Sequence, residues 1–272
     1  MMAIRPGPHG PIWTRRTPVQ TLVVWVGWLL LVLVFVISWE AMTRNQIWAF
    51  VWDAPRQAED LFSRMVPPRW SYMDQLWKPL WDTINIATLG TLLGILIAVP
   101  IAFLAATNTT PSRYLVRPVA LLVIVASRSV NSLIWALLLV AILGPGLLAG
   151  ILAIALRSIG FIGKLLYEAI EEIDTRQVEA VRASGAGGAQ VLDYGIVPQI
   201  LPAFVGISVF RWDINIREST VLGLVGAGGI GLQLKSSVDS LAWPQVTLIF
   251  LLILATVIVS EWVSARVRQA VI

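Results

Sequence analysis

The stretch EAVRASGAGGAQVLDYGIVP, residues 179–198, decides how the rest of the chain is read. It is polar, rich in small residues and broken by glycine, yet it lies between runs too apolar for water. Upstream, Ile173–Ala183 has helical character, with Glu171, Glu172 and Asp174 placed where a helix N-terminus favours negative charge. Gly185, Gly187 and Gly188 then end or bend that helix, because glycine takes positive φ without a Cβ clash. The chain resumes through Ala189–Val197 and meets Pro198 and Pro202, where a new apolar run begins. A charged, hinged turn between two membrane spans reads as a docking knob for a partner on one membrane face. The other reading is an ordinary loop of small residues.

Bulk composition agrees with a membrane setting. The 272 residues are 57% hydrophobic and 13% charged, with a mean hydropathy of +0.78. Soluble domains carry roughly twice that charge, ~25%. Lipid-exposed backbone must satisfy its own hydrogen bonds, so the spans are expected to be helices. A net charge of +4 suits positive cytoplasmic loops better than nucleic acid. There is no cysteine, which excludes disulfides and thiol chemistry. His9 is the single histidine and sits in a Gly/Pro-rich tail, which argues against histidine catalysis or metal binding.

Six spans are expected. Residues 1–20 form a basic, proline-rich tail without order, carrying Arg5, Arg15 and Arg16, and 21–39 is the first span, a retained anchor. Residues 40–81 hold or border six of the thirteen tryptophans: Trp39, Trp48, Trp52, Trp70, Trp77 and Trp81. Tryptophan favours the lipid–water boundary, so amphipathic segments lying flat on the outer face are expected, broken at Pro67-Pro68. They serve either as an interfacial platform or as part of a docking surface for an external protein. The membrane core is 82–272. Its spans are Asp82–Ala106, one long helix over Leu115–Leu143, Leu147–Ile170, Pro198–Leu222 and Leu241–Val267. Splitting the helix at Arg128 would leave two pieces shorter than the bilayer. Arg113, Arg117, Arg266 and Arg268 fall on the same face as the Glu179 turn, which makes that face and both termini cytoplasmic.

Two features bear on chemistry. Val225–Gly231, VGAGGIG, matches a dinucleotide-binding pattern but follows a membrane helix with no βαβ unit, so it reads as a close-packed turn at the outer end of the fifth span. No G-x-x-x-x-G-K-[ST] occurs, so ATP, if used, is hydrolysed by another subunit. The second feature is charge within the spans: Arg128, Arg157, Arg211, Asp213, Arg217 and Glu218. At 100° per residue Arg211, Asn215 and Glu218 share a face, while Asp213 and Arg217 are an i,i+4 pair. Either these groups pair (Asp213 with Arg217, Glu218 with Arg128 or Arg211) and lock the bundle, or the excess of arginines lines a path for an anion.

The 179–198 stretch resembles the EAA loop of ABC-importer permeases: Glu179 and Ala180, a glycine six positions after the glutamate (Gly185), and Pro198. Val181 stands where a second alanine is usual, Gly195 where isoleucine is usual and Val197 where leucine is usual. SRSVNSLIWALLLVAILGPG (127–146), GKLLYEAIEEID (163–174) and NIRESTVLGLVGAGGIG (215–231) resemble the phosphonate/phosphite branch of the binding-protein-dependent importers. Methionine-type permeases share the Val-Gly-Ala-Gly-Gly turn.

The resemblance implies an all-α, six-span type I ABC-importer permease in a bacterial inner membrane, working as a homodimer. Two cytoplasmic ATPases that bind ATP and magnesium would seat on EAA coupling helices through Glu179, Ala180, Arg182, Gly185, Ala186 and Pro198. A periplasmic solute-binding protein would deliver a phosphorus oxyanion, moved by alternating access. The chain itself would carry no cofactor, metal or catalytic residue. An importer of methionine or phosphate, or an ion-coupled secondary transporter, are the alternatives. The last needs no EAA-like loop and usually shows internal repeats.

Overall fold

The computed structural model describes residues 3–7, 10–14 and 17–271. His9, Arg15 and Arg16 lie outside them. Two compact units divide at Asp60.

In the first unit the proline-rich tail carries more secondary structure than composition suggests. Strand β1 (Ala3–Gly7) pairs antiparallel with β2 (Gly10–Thr14), in register from Ala3↔Thr14 to Gly7↔Gly10. Gly7 and Gly10 are separated by only two residues, the shortest connection that closes an antiparallel ladder. Helix α1 (Pro18–Thr43) follows from a capping box in which Thr17 and Gln20 satisfy each other's backbone N–H. It buries none of its residues, as expected of an apolar helix whose solvent is lipid. Helix α2 (Trp48–Met65), whose last five residues belong to the second unit, is the amphipathic segment expected of the Trp-rich stretch. Trp48, Phe50, Val51, Trp52 and Phe62 are exposed on it, and it ends before Pro67-Pro68.

The second unit is a helical bundle. A 3-10 turn (Trp70–Tyr72) leads into α3 (Met73–Ala105), which starts nine residues before the expected span and runs through Pro79. Helix α6 (Leu147–Glu171) is the central partner of α3, and α9 (Val197–Leu222) packs on both. Helix α10 (Ile230–Asp239) and α11 (Trp243–Val271) complete the chain. Close approach of α3 to α6 depends on Gly90 and Gly94. A Cβ at Gly90 would lie 2.7 Å from Ile154 Cγ2, and one at Gly94 2.7 Å from Ser158 Cβ. Small residues four apart let membrane helices approach to this distance. Replacing Gly94 with leucine is therefore expected to wedge α3 from α6 and destabilise the bundle by ~1–3 kcal/mol, the usual overpacking range. Thermal unfolding of the detergent-solubilised protein checks this, and an unchanged midpoint would contradict it.

One expectation is corrected. The single helix over Leu115–Leu143 is two: α4 (Val116–Ser129) and α5 (Ser132–Leu143), bent by 88° at the break. The polar run Ser127-Arg128-Ser129-Val130-Asn131 outweighs the length argument. Asn131 becomes the N-cap of α5, its Oδ1 accepting from Leu133 N at 3.1 Å. Ser129 Oγ bonds back to Val125 O at 2.8 Å. Among the described residues five helices are long and apolar enough to cross a membrane, and the bent pair makes a sixth crossing if its halves act as one span.

The VGAGGIG segment forms a turn inside the bundle. Gly226 is left-handed, Gly146 N donates to Gly226 O at 3.0 Å, and Ile230 N donates to Thr83 Oγ1 at 2.7 Å. Helices flank it on both sides.

Candidate functional site

The polar turn between α6 and α9 folds into a compact handle. Asp174 caps α7 (Thr175–Ala183), its Oδ1 accepting from Arg176 N at 2.9 Å. Glu171 does not serve that N-terminus. It closes the far end of α6, where Oε1 accepts from Thr107 N at 2.8 Å and meets Arg117 Nη2 at 3.3 Å. The C-terminal α6 residues thus hold the 106–115 loop.

Past α7 the chain turns on Gly185, at φ +85°, with Gly185 N donating to Arg182 O at 3.0 Å. No atom lies within 4 Å of a Cβ placed there. Its identity is therefore dictated by backbone conformation alone. Gly187 and Gly188 do not take positive φ. They open a single turn, α8 (Gly188–Gln190), where Gln190 Oε1 accepts from Gly187 N at 2.8 Å. A π-helical stretch, Val191–Ile196, then runs directly into α9. Gly195 is buried, and a Cβ placed on it would lie 3.5 Å from Val178 Cα, so the stretch packs closely against α7.

The handle is joined to the bundle by an apolar cluster. Val178, Val191, Ile196 and Ile200 pack with Ala102 and Ala106 at the end of α3 and with Leu166 and Ile170 of α6. Gln199 adds polar ties, accepting from Asp174 N at 2.9 Å and donating to Gly195 O at 2.6 Å. Displacing α7 therefore loads three transmembrane helices at once.

The outward side of the handle has no partner among the described residues. Glu179, Ala180, Arg182, Gly185 and Pro198 are exposed and Ala186 is half-buried. Gly185 and Ala186 line an open concavity of about 530 Å³ with Tyr194. Arg182 and Ala186 border a second of about 400 Å³ with Leu192. Tyr194 (71% exposed) and Leu192 (40%) were missed in the sequence. Their exposure beside a charged helix is a property of the folded handle that residue spacing alone does not give.

Within the spans, the charged residues separate into two groups. Asp213 and Arg217 pair at 2.6 Å, and Ser260 Oγ donates to the other carboxylate oxygen at 2.7 Å, fastening α9 to α11. The second group is Arg157, Arg211 and Glu218. Glu218 Oε1 lies 3.5 Å from Arg157 Nε, and Glu218 Oε2 3.4 Å from Arg211 Nη2. Arg211 is 2% exposed. Its Nε donates to Ser158 Oγ at 3.0 Å, and its guanidinium sits 5.2 Å over the Phe161 ring. Asn215 donates to the same serine at 3.0 Å and to Thr91 Oγ1 at 2.7 Å, so α3, α6 and α9 share one polar node. In this node, Ser158 and Thr91 are residues that sequence reasoning did not name.

Arg128 stands apart. Of the two partners expected for Glu218, the structure supplies Arg211 and adds Arg157, leaving Arg128 exposed and without an acidic partner among the described residues. Its stem crosses α6 at Gly160, where a Cβ would lie 2.7 Å from Arg128 Cγ. Neighbouring contacts latch the seam: Ser127 Oγ bonds to Leu156 O and accepts from Gly160 N at 2.8 Å, and Arg157 Nη1 donates to Val130 O at 3.3 Å. An arginine at membrane depth costs at least ~2.5–3.5 kcal/mol against lipid, which favours a polar neighbour or water.

A bundle of apolar helices with a charged handle at one end and an arginine-rich polar node inside it defines a membrane transport subunit. The chain belongs to the family of binding-protein-dependent transport system inner membrane components, whose pattern matches residues 90–271. It is 41% identical over 209 residues to the phosphite transport system permease protein PtxC of Stutzerimonas stutzeri, covering 77% of this chain and 76% of that one. It is 42% identical over 209 residues to the phosphate-import permease protein PhnE of Mycolicibacterium smegmatis, covering 77% of this chain and 39% of that one. Its fold is similar to a chain of the methionine ABC transporter MetNI solved in inward-facing conformations, with a TM-score of 0.65 and 22% identity over 75% of this chain and 99% of the other. The protein is thus an integral membrane permease of the ABC importer class.

Proposed function

We propose that the chain is the permease subunit of an ATP-driven importer for a phosphorus oxyanion, phosphite or phosphonate before phosphate. The observation that carries this is its 41% identity to a phosphite permease across three-quarters of both chains. The surplus of Arg128, Arg157, Arg211 and Arg217 over Asp213 and Glu218 agrees with an anionic cargo, since guanidinium groups match oxyanions in geometry and charge. Two copies of the chain enclose the pathway. Two cytoplasmic ATPases, which bind ATP and magnesium, seat on the Thr175–Pro198 handles of the two copies. Glu179 and Arg182 make polar contacts to the ATPase groove, and Gly185 sets the angle of the handle. Both termini lie in the cytoplasm of a bacterial inner membrane, the bent α4–α5 pair counting as one crossing. An external binding protein delivers the cargo.

Reconstitution with the ATPase and binding protein tests the assignment. ATP-dependent uptake of phosphite or methylphosphonate is expected to exceed that of phosphate and to be absent for methionine. Methionine uptake without phosphite uptake would overturn it.

A further inference from the structure

We propose that the α4–α6 seam carries a transient oxyanion station at Arg157, at which the Glu218 carboxylate is a placeholder that incoming cargo displaces, with Arg128 a further positive charge on the same seam. The proposal rests on the phosphorus-oxyanion reading above and names the residue that would meet the cargo inside the membrane.

Three observations carry it. The first is charge. Asp213 is satisfied by Arg217 and Ser260, so Glu218 is the one carboxylate set among Arg157 and Arg211, while Arg128 on the same seam has no acidic partner among the described residues. Arg128 is the thirteenth residue of α4, about 18 Å along that helix at ~1.5 Å per residue, against a hydrocarbon core of ~30 Å. An exposed guanidinium at that depth faces water or an anion rather than acyl chains.

The second is how loosely Glu218 is held. Its contacts to the two arginines measure 3.4–3.5 Å, against 2.6 Å for Asp213–Arg217 one turn away. Charge-assisted hydrogen bonds ordinarily close to ~2.7–2.9 Å. Glu218 is placed to neutralise the arginines without being locked to them.

The third is an asymmetry between those arginines. Arg211 is sealed in, with Ser158 and the face of Phe161 holding it. Arg157 keeps 30% of its side chain open, and its other bond goes to Val130 O at the helix break. A guanidinium has five donors, so Arg157 retains hydrogens for a second acceptor. Exchange of carboxylate for cargo therefore occurs at Arg157, with Arg211 as the fixed wall. A tetrahedral oxyanion takes the carboxylate's place on Arg157, and Arg128, exposed on the same seam, adds positive charge to its approach. Glu218, still beside Arg211, then returns to Arg157 as the cargo leaves.

The test is equilibrium binding of radiolabelled phosphite to the purified permease–ATPase complex without binding protein. Arg157→Gln is expected to weaken binding about tenfold, the worth of one charge-assisted hydrogen bond, and Arg128→Gln to weaken it by a smaller factor, the loss of a nearby positive charge. Glu218→Asp keeps the charge but withdraws the carboxylate by one methylene, and is expected to bind phosphite several-fold tighter. That gain cannot arise from misfolding. Wild-type affinity in all three variants, or no phosphite binding by the wild-type complex while the complete importer still takes up phosphite, would overturn the station and leave the cargo reading intact. If the complete wild-type importer takes up no phosphorus oxyanion, the cargo reading fails and the station with it.

Discussion

Replacing Gly185 with valine is expected to abolish ATP-driven uptake while leaving the protein in the membrane at its normal level. At φ +85° an L-residue places its Cβ against its own carbonyl, at ~1–2 kcal/mol for an ordinary side chain and more for a β-branched one. The surrounding space is empty, so no neighbour can relieve or worsen the strain, and the chain responds by changing φ. A change of φ there re-aims α7 relative to α8, and with it the Glu179 and Arg182 side chains offered to the ATPase. The Val178 cluster, which joins the handle to α3, α6 and α9, lies on the far side of α7 and stays packed. Because the effect is conformational, activity should follow tolerance of the left-handed region: asparagine retains most of the uptake, alanine less, valine none. Uptake into vesicles containing the whole importer, with membrane content measured in parallel, provides the check. Full uptake by the valine variant, or a ranking that follows side-chain size instead, would sink the coupling role.

Much of this architecture is legible in the sequence, for a reason visible in the residues. Leu147–Glu171 begins just after Gly144-Pro145-Gly146, and Val197–Leu222 carries Pro198 in its first turn, where proline's missing N–H costs nothing. Gly185 was recognisable because a positive-φ position demands glycine locally. The break at Val130 was not, since a rule about span length was set against the capping strength of Asn131, and capping prevailed. The polar node was half legible. Periodicity places Arg211, Asn215 and Glu218 on one face of α9, but nothing in a single chain says which helix that face meets. Thr91 illustrates the difficulty. Its hydroxyl donates to its own helix at Ala87 O, 2.6 Å away, the usual habit of a threonine in a span. Its second role, accepting from Asn215, exists only once α3 and α9 are packed. Arg157 as the second partner of Glu218 is a tertiary fact of the same kind.

The shared carboxylate leads to an asymmetry that separates an electrostatically coupled node from three incidental contacts. Replacing Glu218 with methionine is expected to destabilise the bundle by ~3–5 kcal/mol, the range for removing one partner of a buried ion pair. Arg211 would be left 2% exposed and cationic, with Ser158 and an aromatic face as its remaining company, and Arg157 would add repulsion. Replacing Arg211 with methionine removes a charge of the opposite sign but leaves Glu218 beside Arg157, so the node goes from one net positive charge to neutral and the loss should be ~1–2 kcal/mol, mainly the bond to Ser158. The double substitution Glu218→Met with Arg211→Met leaves a single charge, on the half-exposed Arg157, which restores the native net charge of +1 and should recover most of what the first change lost. Thermal unfolding of the three variants in one detergent gives the comparison. Equal destabilisation by the two single changes, or strictly additive effects in the double variant, would mean that Glu218 does not hold the charge balance of the node. In that event the long contacts at 3.4–3.5 Å would be proximity without electrostatic consequence.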